Sequence, residues 1–153
     1  MEINGLFEKS NFIENLKKLI DEDAELISNL SNISRLIFES FEQTSWCGFY
    51  LVKGDYLYLG PYQGPIACTR IKFGHGVCGN AWKSATTQLV PNVHEYPGHI
   101  ACSSKTNSEI VIPILKDNQV IGVIDLDSEQ FDNFHEDDRM LLEIAASIIS
   151  NIM

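Results

Sequence analysis

The chain has 153 residues, 44% of them apolar and 21% charged, enough to close one domain over residues 1–153 around a real core. Its formal net charge is −10, from 11 Lys+Arg against 21 Asp+Glu, with no basic cluster, which excludes a polyanion-binding surface; no nucleic-acid partner is expected. No run of 18 apolar residues appears, so no membrane contact through a spanning helix is expected either.

In chain order, residues 1–8 are acidic and lack a charged-then-apolar leader. A cytoplasmic protein is expected, in a compartment where thiols stay reduced. Phe12 to Leu19 is a short helix candidate. Leu26, Leu30, Ile33, Ile37 and Phe41 then follow a helical stripe. These helices are expected to pack on a sheet, or on each other across a homodimer. From Trp46 the period becomes two: residues 46–52 and 56–60 read as strands joined by a short Lys-Gly-Asp turn. Residues 61–76 read as loop, because Gly and Pro are frequent and no period holds. Val77 to Ser84 suggests a short helix, and residues 91–108 a second long loop. Residues 109–115 and 120–127 are strands, and the second is apolar on both faces until Asp125, as expected of a central strand. A last helix starts near His135, with Leu141, Ile144, Ile148 and Ile152 as its apolar stripe. Glu136, Asp137 and Asp138 fill its first turn, where negative charge suits the helix dipole. The order predicts an α+β fold: a mainly antiparallel central sheet flanked by N- and C-terminal helices.

Both long loops carry cysteine, and long loops in compact domains tend to be functional. Cys68, Cys78 and Cys102 all lie in glycine-, proline- or polar-rich stretches and in no CxxC pair. Such placement suits accessible, reactive thiols with internal resolving partners. Two structural disulfides are the alternative, which a reducing compartment opposes. Cys47 alternates away from Trp46 and reads as a small buried hydrophobe.

Three groupings add chemistry. Asp125 and Asp127 share one face of a strand end, and Glu109 opens the neighbouring strand. If they meet, each raises the others' pKa and one stays protonated near neutral pH, beside a charge able to hold an ammonium group. The plainer alternative is that these strand ends exit to solvent. Trp46 and Tyr50, four apart on a strand, share a face and can wall a small pocket or simply fill a core. The stretch GHGVCGN at residues 74–80 lacks a phosphate-loop pattern and reads as a turn carrying Cys78. No metal-ligand spacing is present, so no metal is expected. His94 or His99 beside a cysteine would leave a Cys–His hydrolase open.

Taken together, the segments WCGFYL (46–51), LGPYQG (59–64), ACTRIKFGHGVCG (67–79), HIAC (99–102), NSEIVIP (107–113) and VIGVIDLDS (120–128) resemble the free methionine-R-sulfoxide reductases, enzymes built on a GAF domain. The resemblance implies a GAF-like fold and reduction of free methionine-R-sulfoxide without a cofactor. By motif, Cys102 matches the cysteine that attacks the sulfoxide sulfur, Cys68 the one that resolves the sulfenic acid, and Cys78 a third family cysteine with a resolving role. Glu109, Asp125 and Asp127 match the acidic substrate site, and Trp46 and Tyr50 its aromatic wall. A thioredoxin-like protein is then the expected reductant. The departures are Ser103 after Cys102, Pro65 and Ile66, His135 and Cys47. A GAF sensor of a small molecule or of redox state is the alternative function.

Overall fold

The computed structural model describes residues 6–153. The reading of the leader region falls partly on residues 1–5, outside the described residues. The elements are α1 (Phe12–Leu19), α2 (Leu26–Ser40), β1 (Thr44–Lys53), β2 (Tyr56–Gln63), β3 (Arg70–Lys72), α3 (Gly76–Ser84), β4 (Gln88–Val90), β5 (Ser108–Lys116), β6 (Gln119–Ser128) and α4 (Glu136–Ser150). Six strands form one sheet in the order β3-β2-β1-β6-β5-β4, and every pairing is antiparallel. The expected α+β architecture is thus what forms, with β6 central.

Local chemistry sets these boundaries. Asp117 (φ +52°) and Asn118 (φ +62°) link β5 to β6 in the left-handed turn conformation that matches strand twist. At the start of α4 the His135 backbone N–H donates to the Asp138 carboxylate at 2.8 Å. Lys9 reaches Asp138 at 2.6 Å and Asp137 at 3.0 Å, tying the chain's start to that helix. The carboxylate three residues in therefore caps α4 where the side chain of His135 does not.

Side-chain alternation divides the strands between two cores. Phe49, Ile110, Ile112, Ile114, Ile124 and Leu126 face α1, α2 and α4, all fully or nearly fully buried. Cys47 belongs to this core and is fully buried, as expected for a small hydrophobe. Each such large side chain contributes about 1.5–3 kcal/mol on burial. Trp46, Tyr50, Val111 and Val123 face the other way and are covered by α3 through Val77, Cys78 and Ala81.

One stretch departs from the sequence expectation, and one strand forms where none was expected. Residues 61–76 are not all loop: β2 runs to Gln63, and β3 forms within the stretch by pairing Arg70, Ile71 and Lys72 with Tyr58, Leu57 and Tyr56. A three-residue strand leaves no periodicity to read; its partner defines it. The same holds for β4, whose Gln88–Val90 pair with Val111 to Glu109. No described helix is long and apolar enough to cross a membrane.

Candidate active site

Strand register builds the floor of a cavity of about 140 Å³. Trp46 pairs with Asp127, and Asp127 with Glu109, in one row across β1, β6 and β5. In the next row Gly48 pairs with Asp125, and Asp125 with Val111. All three carboxyls therefore point to the face that α3 covers. Such a volume is about ten times what one water needs and smaller than drug-sized pockets, so it suits a ligand of amino-acid size.

Gly48 makes this floor possible. A Cβ there would lie 2.5 Å from Tyr62 Cβ and 2.6 Å from Trp46 Cη2, closer than packed carbons approach. Its absence lets the Trp46 ring lie back over the strand. Trp46 stacks with Tyr62 at 5.4 Å and with Tyr50 at 5.9 Å between ring centroids. Trp46 Nε1–H donates to the Pro65 carbonyl at 3.1 Å, and the Tyr50 hydroxyl donates to the Cys68 carbonyl at 2.9 Å. The aromatic pair thus walls the cavity and also ties down residues 65–68, one side of its rim.

Cys68 and Cys102 are joined by a disulfide, with Cα atoms 5.7 Å apart. Cys102 lines the cavity; Cys68 does not and is half-buried behind it. Residues 65–68 and 99–102, far apart in sequence, therefore meet at the rim.

Glu109 and Asp125 are each 6% exposed, and Asp127 is half-buried. The alternative of strand ends exiting to solvent does not hold. Burial, then mutual repulsion, holds all three carboxyls well above the usual carboxylate range. One Oδ1 atom each of Asp125 and Asp127 is buried without a hydrogen-bond partner, which disfavours three separate anions. His99 Nε2 lies 3.6 Å from Glu109 Oε2, and burial pushes its pKa down. Burial thus disfavours the charged form of both partners.

Cys78 corrects one expectation. It is not an accessible thiol on a turn: it lies in the first turn of α3, 3% exposed, with Sγ donating to Asp125 Oδ2 at 3.3 Å. Burial and then Asp125 push its thiol well above the usual range. Gly74 and Gly76 adopt positive φ (+76° and +64°), the backbone freedom expected of this stretch, whereas Gly79 is there for packing. A Cβ at Gly79 would meet the Lys72 carbonyl at 2.7 Å, so only glycine lets α3 sit this close to the preceding turn.

The structure thus gathers Trp46, Tyr50, Cys78, Cys102, Glu109, Asp125 and Asp127 around one cavity, with Cys68 bonded at its edge. Sequence reasoning missed His99 beside Glu109 and Tyr62 behind Trp46. The position of His99, three residues before Cys102, was the available signal. Its partner is Glu109 and not a cysteine, so the Cys–His pairing left open above finds no support among the described residues.

Comparison with known proteins agrees with this geometry. The GAF domain model matches residues 25–153. The chain is 44% identical to GAF domain-containing protein A of Dictyostelium discoideum, over 92% of this chain and 89% of that protein. It is 41% identical to the free methionine-R-sulfoxide reductase of Escherichia coli, over 92% and 88% respectively. The X-ray structure of the free methionine-R-sulfoxide reductase from Neisseria meningitidis in complex with its substrate superposes with a TM-score of 0.90 at 41% identity, covering 94% of this chain and 87% of that one. The chain belongs to the GAF domain family and, within it, to the free methionine-R-sulfoxide reductases.

Proposed function

We propose that this chain reduces free methionine-R-sulfoxide to methionine by thiol chemistry at Cys102. The observation that carries the reading is a cysteine pair within bonding reach at the rim of an amino-acid-sized cavity floored by two buried carboxyls and one half-buried one. The family relationship supports the same reading.

The substrate is a zwitterion. Residual negative charge on Glu109, Asp125 and Asp127 holds its ammonium group, and Trp46 and Tyr50 receive the methyl end. A peptide-bound residue has no ammonium to offer, so the acidic floor selects the free amino acid. In the reduced enzyme the Cys102 thiolate attacks the sulfoxide sulfur. A proton passes from the carboxyl group to the sulfoxide oxygen, and the raised pKa values keep that proton available near neutral pH. The protonated oxygen then passes from the methionine sulfur to Cys102 Sγ: the S–O bond and the transient bond between the two sulfurs break, methionine leaves reduced by two electrons, and Cys102 is left as a sulfenic acid. Cys68 attacks Cys102, the oxygen leaves as water and the disulfide forms. A thioredoxin-like dithiol returns two electrons by exchange. Because Cys78 is buried and bonded to Asp125, Cys68 is the resolving partner, and Cys78 acts on the carboxyl group it touches.

The test is methionine release from free L-methionine-R-sulfoxide with thioredoxin, its reductase and NADPH, beside the S epimer and a peptide-bound R-sulfoxide. Turnover of the free R form alone is the expected result. No turnover of any form by folded, reduced protein would overturn the reading and favour a ligand-binding sensor.

A further inference from the structure

Cys78 does more than fill the roof of the cavity. One ligand atom each from Cys78, Glu109 and Asp125 lies within 4.8 Å of the others, and Cys78 Sγ is only 3.3 Å from Asp125 Oδ2. All three residues are more than nine-tenths buried and line the same cavity. Asp125 Oδ1 is buried with no hydrogen-bond partner among the described residues. We propose that this trio is a binding site for a thiophilic divalent cation, Zn²⁺ in particular, and that the ion excludes substrate by occupying the ground of its ammonium group.

The geometry suits the ion. With zinc–sulfur and zinc–oxygen bonds of about 2.3 and 2.0 Å, neighbouring ligand atoms of a tetrahedral site stand roughly 3.5 Å apart. The sulfur–oxygen pair already has that spacing. The proton now lying between Sγ and Oδ2 occupies the line a bridging cation would take. The reaction balances as loss of the Cys78 thiol proton, and of any proton still on Glu109 or Asp125, for one Zn²⁺, with no change of oxidation state. A thiolate with two carboxylates favours zinc over magnesium or calcium, which prefer all-oxygen shells. The cavity supplies an entry path and an open fourth position. The ligands come from α3, β5 and β6, so no sequence spacing announces the site. The floor that attracts an ammonium group attracts this cation for the same electrostatic reason, and the ion would close the enzyme to substrate.

Metal binding stands independently of the reductase assignment; competition with substrate rests on it. The experiment uses the disulfide form of the full chain, in which Cys68 and Cys102 offer no thiolate. Titration with Co²⁺ should produce a cysteine-to-cobalt charge-transfer band that Zn²⁺ then bleaches. Cys78→Ala should abolish the band and weaken Zn²⁺ binding by at least about 100-fold, more than loss of an outer-shell partner. Asp125→Asn should weaken it by about tenfold or more. Cys47→Ala should leave the band unchanged, since Cys47 lies on the other face of the sheet. Circular dichroism verifies folding of each variant, and Cys78→Ser replaces Cys78→Ala if the latter does not fold. No band in the wild type, or a band that survives loss of Cys78, overturns the site. On reduced enzyme, Zn²⁺ should raise KM for free methionine-R-sulfoxide with little change in kcat. Zinc binding without such competition overturns the inhibitory role and leaves the site. Absence of turnover would refute the reductase reading and leave the cobalt result to decide the metal site.

Discussion

The two faces of the central sheet are made by the same strands, residue by alternate residue, and they do opposite things. Phe49, Ile124 and Leu126 face three helices in a dry core, where even a cysteine is inert. One position along, Gly48, Asp125 and Asp127 face a single short helix and a cavity. The helical face supplies the stability that lets the other hold three acids at close range. Buried carboxyls oppose folding unless they remain protonated or find partners. A one-residue slip of β6 would exchange the two faces, so the register that secures the core also assembles the site.

That division predicts separable damage, and the largest effect belongs to the cavity. Cys102→Ser should lower turnover by at least about 10⁴-fold while leaving the melting curve of the reduced protein nearly unchanged. Cys68→Ser should release one methionine per enzyme and then stall, read as a burst in a rapid-quench assay. A Cys102→Ser enzyme that still turns over would remove the proposed nucleophile. On the opposite face, Phe49→Ala should cost about 3–5 kcal/mol in denaturant unfolding, with KM unchanged in the fraction that stays folded. A change in KM without loss of stability would show that the faces are not independent.

How much of this was legible beforehand follows the same line. The helical face announces itself: the α2 stripe from Leu26 to Phe41 and the doubly apolar β6 give architecture and strand centrality from periodicity alone. That Asp125 and Asp127 share a face of their strand, and Trp46 and Tyr50 a face of theirs, is equally a matter of counting by two. Their burial was not legible: the helix expected at Val77–Ser84 forms, but nothing in its sequence says that it closes over this face. Gly79 illustrates why: its close approach to the Lys72 carbonyl sets how α3 packs, yet a glycine inside the expected helix carries no mark of that contact. Reading residues 74–80 as a turn made Cys78 an accessible thiol. The pairing of His99 with Glu109 was not legible because the two are ten residues apart and are brought near only by the loop's return to the cavity.

A smaller effect tests the energetic side of the comparison. The folded pKa values of Glu109, Asp125 and Asp127 lie well above their ordinary values of 4.5, 3.8 and 3.8. Between the unfolded and folded values the native protein holds protons that the unfolded chain has released. Stability therefore falls as pH rises above about 4, until the folded carboxyls titrate. Each group contributes about 1.4 kcal/mol per pH unit across its own window. Asp125→Asn removes one such group while keeping an oxygen that can accept from the Cys78 thiol. It should unfold at higher denaturant than wild type at pH 7, by roughly 1–3 kcal/mol, and match it near pH 4. Its activity should fall. A variant less stable than wild type at pH 7 would mean that the trio is net stabilising, contrary to the contrast drawn between the faces.

The smallest expected effect concerns the fourth cysteine. Cys47 and Cys78 are both buried free thiols, and burial raises both pKa values. They differ in what they touch: Cys47 packs among the apolar residues of the helical face, whereas Cys78 donates to Asp125 inside the cavity. Cys47→Ala removes one sulfur from a closed core and should cost only about 1 kcal/mol, with kcat, KM and their pH profiles unchanged. Cys78→Ala deprives Asp125 of its donor, so the pH profile of kcat/KM should move even where stability changes no more than for Cys47→Ala. Equal pH profiles in the two variants would make Cys78 a packing residue like Cys47. A shift confined to Cys78→Ala ties its thiol to Asp125, the carboxyl group proposed to take part in proton transfer.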